Sequence, residues 1–213
     1  MPLPNRVDPF GTIFATPERG GFMGNRGGRL RGAEKTIVRR WASKAWITCL
    51  LAFKDYRRKE VMGPDSYTEL FFLDEATALA AGHRPCAECR RADYNRFKAL
   101  FVETQAGLGV SVRTALDMDA VLHAERLARP RARARAAELP DTAMVAIDGQ
   151  AWLKLGDRLM AWAPGGYGAG RPLPEGEVEV LTPAAILAVL RAGYPAQVDA
   201  SAGATPARDL DLA

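Results

Sequence analysis

Cysteine and histidine are scarce here: 213 residues hold three cysteines and two histidines. So few thiols, odd in number, argue against a disulfide framework and fit a reducing cytoplasm. Long apolar runs are also missing. Nothing near 18 consecutive apolar residues occurs, so neither a membrane span nor a membrane partner is expected. Residues 1–11 carry prolines and charges instead of an apolar stretch, so a secretory signal is not expected. No G-x-x-x-x-G-K-[ST] pattern occurs, which leaves an NTP-binding loop of that kind unsupported. Acidic residues are thin in the front of the chain: residues 1–135 hold 24 Lys and Arg against 15 Asp and Glu. Residues 136–213 reverse this, with 5 against 10, so the balance runs from +9 to −5. A basic front and an acidic back suggest a polyanionic partner for the front; solvated helix faces would give the same counts.

What is present divides unevenly. Residues 1–34 are rich in Gly, Pro and Arg and weak in periodicity, and read as a Gly/Arg-rich arm of loops and turns. Residues 37–62 read as a hairpin, with Trp46-Ile47-Thr48-Cys49-Leu50-Leu51-Ala52-Phe53 as its apolar strand. A short strand over 67–73 leads into a helix from Asp74 to Ala81, with Asp74 as N-cap and Gly82 just past the end. A longer helix is expected over 87–105 and another over 117–129, closed by Pro130. Arg129, Arg131, Arg133 and Arg135 then alternate in a basic linker, spaced to follow phosphates along an extended strand or simply solvated. Residues 140–195 read as four short strands and a closing helix, with Trp152, Trp162 and Tyr167 as core and mouth of a small barrel. Residues 196–213 read as a disordered tail. The expectation is an α+β protein: a basic domain over 35–135, which holds every cysteine and histidine, and a small β-rich, barrel-like domain over 140–195 behind it.

The chemistry centres on Cys86 and Cys89. A C-x-x-C pair at a helix start can aim two thiolates at one ion, and the helix N-terminus favours the charged form. Structural zinc wants four such ligands, and catalytic zinc three with an open position. Cys49, His83 and His123 are the remaining thiol and imidazoles. Cys49 either closes the site or is a small buried hydrophobe. His83 lies within reach of the Cys86 turn. His123 becomes a candidate ligand because other donors are so few. Redox use of the pair is a rival reading, although no thioredoxin-like βαβ pattern surrounds it.

The stretch Phe71-Phe72-Leu73-Asp74-Glu75-Ala76-Thr77-Ala78-Leu79-Ala80-Ala81-Gly82-His83-Arg84-Pro85-Cys86-Ala87-Glu88-Cys89-Arg90 resembles the zinc-binding module of the Ada DNA-alkylation repair protein. That resemblance covers about 20 residues, and rests on a strand, a helix running from Glu75-Ala76 to Ala81-Gly82, and R-P-C-x-x-C. It implies a small module with mixed sheet and helices, a zinc ion held by cysteines, and contacts to DNA backbone. In that family one thiolate also accepts a methyl group from a phosphotriester. Cys86 and Cys89 match the family's second cysteine pair; the first, C-x-x-x-C, is absent, and only Cys49 lies upstream.

His123-Ala124-Glu125 with Pro85-Cys86-Ala87-Glu88-Cys89 also resembles, in reversed order, the two halves of the zinc-dependent cytidine deaminase signature. The leading expectation is thus a zinc-binding, DNA-binding protein of repair or processing. Its phosphate contacts would be Arg90, Arg91, Arg57, Arg58, Arg26 and Arg29. The alternative is a zinc-dependent hydrolase or deaminase acting on nucleic acid or nucleotides, with Cys86, Cys89 and His123 as ligands and Glu125 as general base.

Overall fold

Local signals build the second half of the chain. Turns at Asp148-Gly149 and Gly156-Asp157, with Asp148, Gly149 and Gly156 at positive φ, join three strands into consecutive hairpins. A computed structural model describes residues 1–54, 60–63 and 66–203. Within them the chain is α+β, with two six-stranded sheets and four α-helices among the described residues.

The first sheet holds β1 (Arg6–Val7), β2 (Ile13–Phe14), β3 (Phe22–Asn25), β4 (Ile47–Cys49), β5 (Leu70–Phe72) and β6 (Arg84–Pro85). Its order is β2-β1-β5-β3-β4-β6; the β1–β5 and β4–β6 pairs are parallel and the others antiparallel. Residues 1–34 are therefore no arm: β3 lies between β4 and β5 in the middle of the sheet. The hairpin expected over 37–62 is not seen among the described residues. Its strand shortens to Ile47–Cys49 and pairs with β3, and Leu50 and Leu51 are exposed.

α1 (Glu75–Ala80) lies between β5 and β6, and α2 (Arg91–Gly107) and α3 (Ala115–Leu127) separate the sheets along the chain. The second sheet comprises β7 (Arg133–Arg135), β8 (Met144–Ile147), β9 (Gln150–Leu155), β10 (Arg158–Ala163), β11 (Gly166–Pro172) and β12 (Glu177–Val180). Its order, β11-β10-β9-β8-β12-β7, leaves β11 and β7 as separate edges. It is an open sheet, and the expected barrel closure is absent among the described residues. β7, read as linker, belongs to this sheet: Arg133 and Arg135 register against Glu179 and Glu177 of β12. α4 (Ala184–Arg191) follows.

The halves are not independent. All six residues of α1 are buried, and three hydrophobic clusters meet on them. Ala76 and Ala80 pack with Met144, Leu153 and Tyr167 of the second sheet. Ala78 packs with Phe22, Leu70 and Phe72 of the first. Leu79 joins Phe97, Phe101, Met118, Leu122, Ile186 and Val189 of the other helices. Small side chains let both sheets approach this one helix closely. Asp74 caps it, accepting from the Thr77 N–H at 2.8 Å. Gly82 ends it at φ +83, where a Cβ would fall 2.6 Å from the Arg126 side chain.

Residues 196–203, expected to be part of a tail, are ordered on α1. Gln197 N–H donates to Glu75 and Asp199 N–H to Asp74, each at 3.0 Å, and Ala202 is buried. Buried carboxylates need such partners, which apolar periodicity does not reveal.

Candidate metal centre

Parallel pairing of β4 with β6 sets Thr48 opposite Pro85, and the Cys86 N–H donates to the Thr48 carbonyl at 2.9 Å. Cys49 and Cys86, each one residue beyond that pair, are thereby neighbours. A tight turn, with the Arg90 N–H on the Cys86 carbonyl at 3.2 Å, brings Cys89 back beside them. The three sulfurs lie within 4.8 Å of one another. Around tetrahedral zinc, Zn–S bonds of about 2.3 Å place sulfurs ~3.8 Å apart, so the donor set fits such an ion.

Backbone amides support the sulfurs. Glu88 N–H donates to Cys86 Sγ at 3.4 Å, Cys89 N–H does the same, and Leu50 N–H donates to Cys89. These replace the helix terminus expected here, because α2 begins only at Arg91. The Cys49 thiol hydrogen-bonds to Cys86 and, with the two amides, holds Cys86 down to about 5. That same hydrogen bond, followed by burial, pushes Cys49 up; burial and the nearby Cys86 charge push Cys89 up. Within the trio, then, Cys86 is the sulfur that ionises most readily. A bound divalent ion reverses this logic and allows all three to ionise.

The cysteines form one end of a groove of about 980 Å³. Its other walls are largely apolar, including Met23, Ile47, Leu50, Leu51, Phe53 and Phe71. Sequence reasoning missed this groove. Leu50 and Leu51 were its available signal, read instead as strand interior.

The second metal candidate does not join the cluster. His123 sits on α3, its ring 5.5 Å from Trp41 and its Nδ1 3.4 Å from Arg126 Nη1. Among the described residues no fourth Cys, His, Asp or Glu belongs to the group. Glu125 is engaged elsewhere: both its oxygens accept the Ala185 N–H, at 3.1 and 3.0 Å, at the start of α4. The deaminase-like arrangement of His123 and Glu125 around the cysteines is thus not formed. His83 is fully buried between Trp46 and Phe72, its centroid 5.1 and 4.6 Å from theirs, and burial holds it neutral.

The arginines divide. Arg26 is fully buried; it donates to His83 Nε2 and to the Gly11 and Arg40 carbonyls, and lies 3.9 Å over Trp46. Arg90 is buried against Glu75 and Asp93, both at 2.7 Å. Neither reaches the surface where a phosphate would sit. These are internal braces, and Gly-Arg spacing or proximity to Cys89 could not distinguish them from surface contacts. Arg91 and Arg29 are exposed. Arg57 and Arg58 lie outside the described residues. The alternating arginines also have local partners: Arg131 pairs with Glu179 at 2.8 Å, and Arg133 donates to the Glu177 carbonyl at 2.7 Å.

No protein-family model matches this chain, and neither the curated proteins nor the solved structures contain a match.

Proposed function

We propose that this chain is a zinc-thiolate protein that works on DNA. The observation that carries the metal is the meeting of three sulfurs, from residues 49, 86 and 89, within 4.8 Å. Cys49, Cys86 and Cys89 would hold zinc; the ion would tie β4 to the turn before α2 and leave a coordination position for an exogenous ligand at the groove. Zinc supplies charge neutralisation of the thiolates and, at an exchangeable position, Lewis acidity. The amides of Glu88, Cys89 and Leu50 orient the sulfurs.

The DNA partner and a setting in repair or processing are supported by the resemblance over residues 71–90 and by the basic surplus of residues 1–135. Arg39, Lys44 and Arg91 are among the exposed basic side chains that could make backbone contacts. His123 and Glu125 have structural engagements, so the geometry gives hydrolysis through them no support.

Elemental analysis of the purified protein should give about one zinc per chain, and Cys86→Ser should lose it. Metal-free protein in both cases would sink this reading. DNA binding should weaken linearly in a log–log salt titration. A flat response would remove the nucleic-acid part and leave the metal centre standing.

A further inference from the structure

A second cavity, distinct from the cysteine groove, lies between the two sheets. It has a volume of about 150 Å³ and is lined by Arg40, Arg126, Arg129 and Arg131, with Glu125 the only carboxylate. The loop after β3 contributes Arg40, while the end of α3 and the segment before β7 contribute the rest; the first residues of α4 close one side. Distant parts of the chain thus bring four arginines to one space.

Their engagements differ. Arg131 is committed to Glu179 at 2.8 Å and to the Phe10 carbonyl at 3.1 Å. Glu125 spends both oxygens on the Ala185 N–H. Arg126 gives Nε to the Gly82 carbonyl and Nη1 to that of Lys44, at 2.8 and 3.0 Å; its Nη2 is buried with no acceptor among the described residues. Arg129 uses only Nη1, on the Arg126 and Ala128 carbonyls at 3.2 and 2.6 Å. The Arg40 guanidinium lies 5.7 Å over Trp41 and meets no acceptor among the described residues. Partial burial and the charges of Arg131 and Arg40 lower the Arg129 guanidinium, with Glu179 a smaller opposing influence, so these cations repel one another. Like charges gathered at a cavity, with donors unused, call for an anion.

We propose that this cavity binds a phosphate group, with Arg40 and Arg129 at the mouth and Arg126 at the back. One water needs about 10–15 Å³ of such volume, so there is room for a tetrahedral oxyanion. Guanidinium forks match phosphate oxygens in pairs, and more than one uncompensated cation suits a dianion better than a carboxylate. Trp46 in the wall is covered by Arg26 at 3.9 Å and Arg126 at 4.5 Å, so stacking of a base on it is not part of the site. The ligand is the phosphate itself, whether free or ending a larger molecule.

Titration with inorganic phosphate, at ionic strength held constant with chloride, tests this by calorimetry and tryptophan fluorescence. Saturable one-to-one binding is expected. Arg40→Gln with Arg129→Gln should weaken it roughly tenfold or more, since each charged hydrogen bond lost is felt. Both side chains are exposed, so the melting temperature without phosphate should hold. A deoxynucleoside 5′-monophosphate, and oligonucleotides with and without a 5′-phosphate, separate free phosphate from a strand end. Binding weaker than about 1 mM for every probe, or binding that the double variant leaves unchanged, overturns the proposal. The proposal does not rest on the metal: zinc-depleted protein that keeps its fold should bind phosphate as before.

Discussion

The two sheets differ in how much of their pairing is local. In the second, β8, β9, β10 and β11 each pair with their neighbour in sequence. In the first, strands of two to four residues keep sequence neighbours only in β1–β2 and β3–β4, while β1–β5, β3–β5 and β4–β6 join distant segments. The second has remote pairs only around β12, with β8 and β7. Short strands bury little surface of their own, so the first sheet leans on other ties. Arg26 and Arg126 clasp Trp46, Arg84 pairs with Asp119 at 2.8 Å, and three cysteines meet at its edge. A sheet made of hairpins carries its register in its turns; one made of remote pairs needs cross-links.

The largest break in that comparison should come from removing the metal ligands. Cys49→Ser in zinc-loaded protein should lower stability by several kcal/mol, since binding energy of a structural ion is folding energy. Hydrogen exchange should show β3, β4 and β6 losing protection first and β8–β10 last; uniform loss would erase the distinction. Next comes Glu75→Gln. It leaves buried Arg90 with Asp93 as its remaining carboxylate at 2.7 Å, and a cost of about 2–3 kcal/mol is expected in urea unfolding.

Tyr167→Phe should cost about 1–2 kcal/mol by deleting the 2.7 Å hydrogen bond from β11 to Asp74. It also tests a pH effect. Burial raises the Asp74 carboxyl above its ordinary value. Between that ordinary value, near pH 4, and the raised one, the native state holds more protons than the unfolded chain. The contribution of Asp74 to stability is therefore greatest below this window and declines as pH rises through it. Loss of the tyrosine donor should raise the carboxyl further and deepen the decline, measurable as unfolding free energy between pH 4 and 7. The smallest effect is Glu125→Ala, expected to cost about 1 kcal/mol as a lost helix cap, without changing zinc content.

The same contrast governs what was legible in the sequence. Helix α1 was readable because Asp74 and Gly82 mark its ends locally. The strands at 144–147 and 158–163 were readable because turn residues bound them. Cys86 and Cys89 stood out through their spacing. Cys49 was only a candidate, because its place depends on a parallel pairing between residues 47–48 and 84–85 that no local pattern records. β1–β3 lay hidden among glycines and arginines, since partners far along the chain supply their hydrogen bonds. β11 is hard to see for another reason: Gly166, Gly168 and Gly170 give it the composition of a loop, while Tyr167 alone carries the inward face. Arg26 and Arg90 misled because charge suggests solvent, and only the fold shows their buried acceptors.

The fully enclosed helix α1 bears on how the protein can be taken apart. Each of three cores uses it as a wall, so no cut between the sheets yields two intact pieces. A fragment ending near residue 135 would keep every cysteine yet expose Ala76 and Ala80, and Asp74 and Glu75 would lose their backbone partners at 197 and 199. Such a fragment should bind zinc only as a loosely folded peptide, and adding back residues 136–213 in trans should restore it.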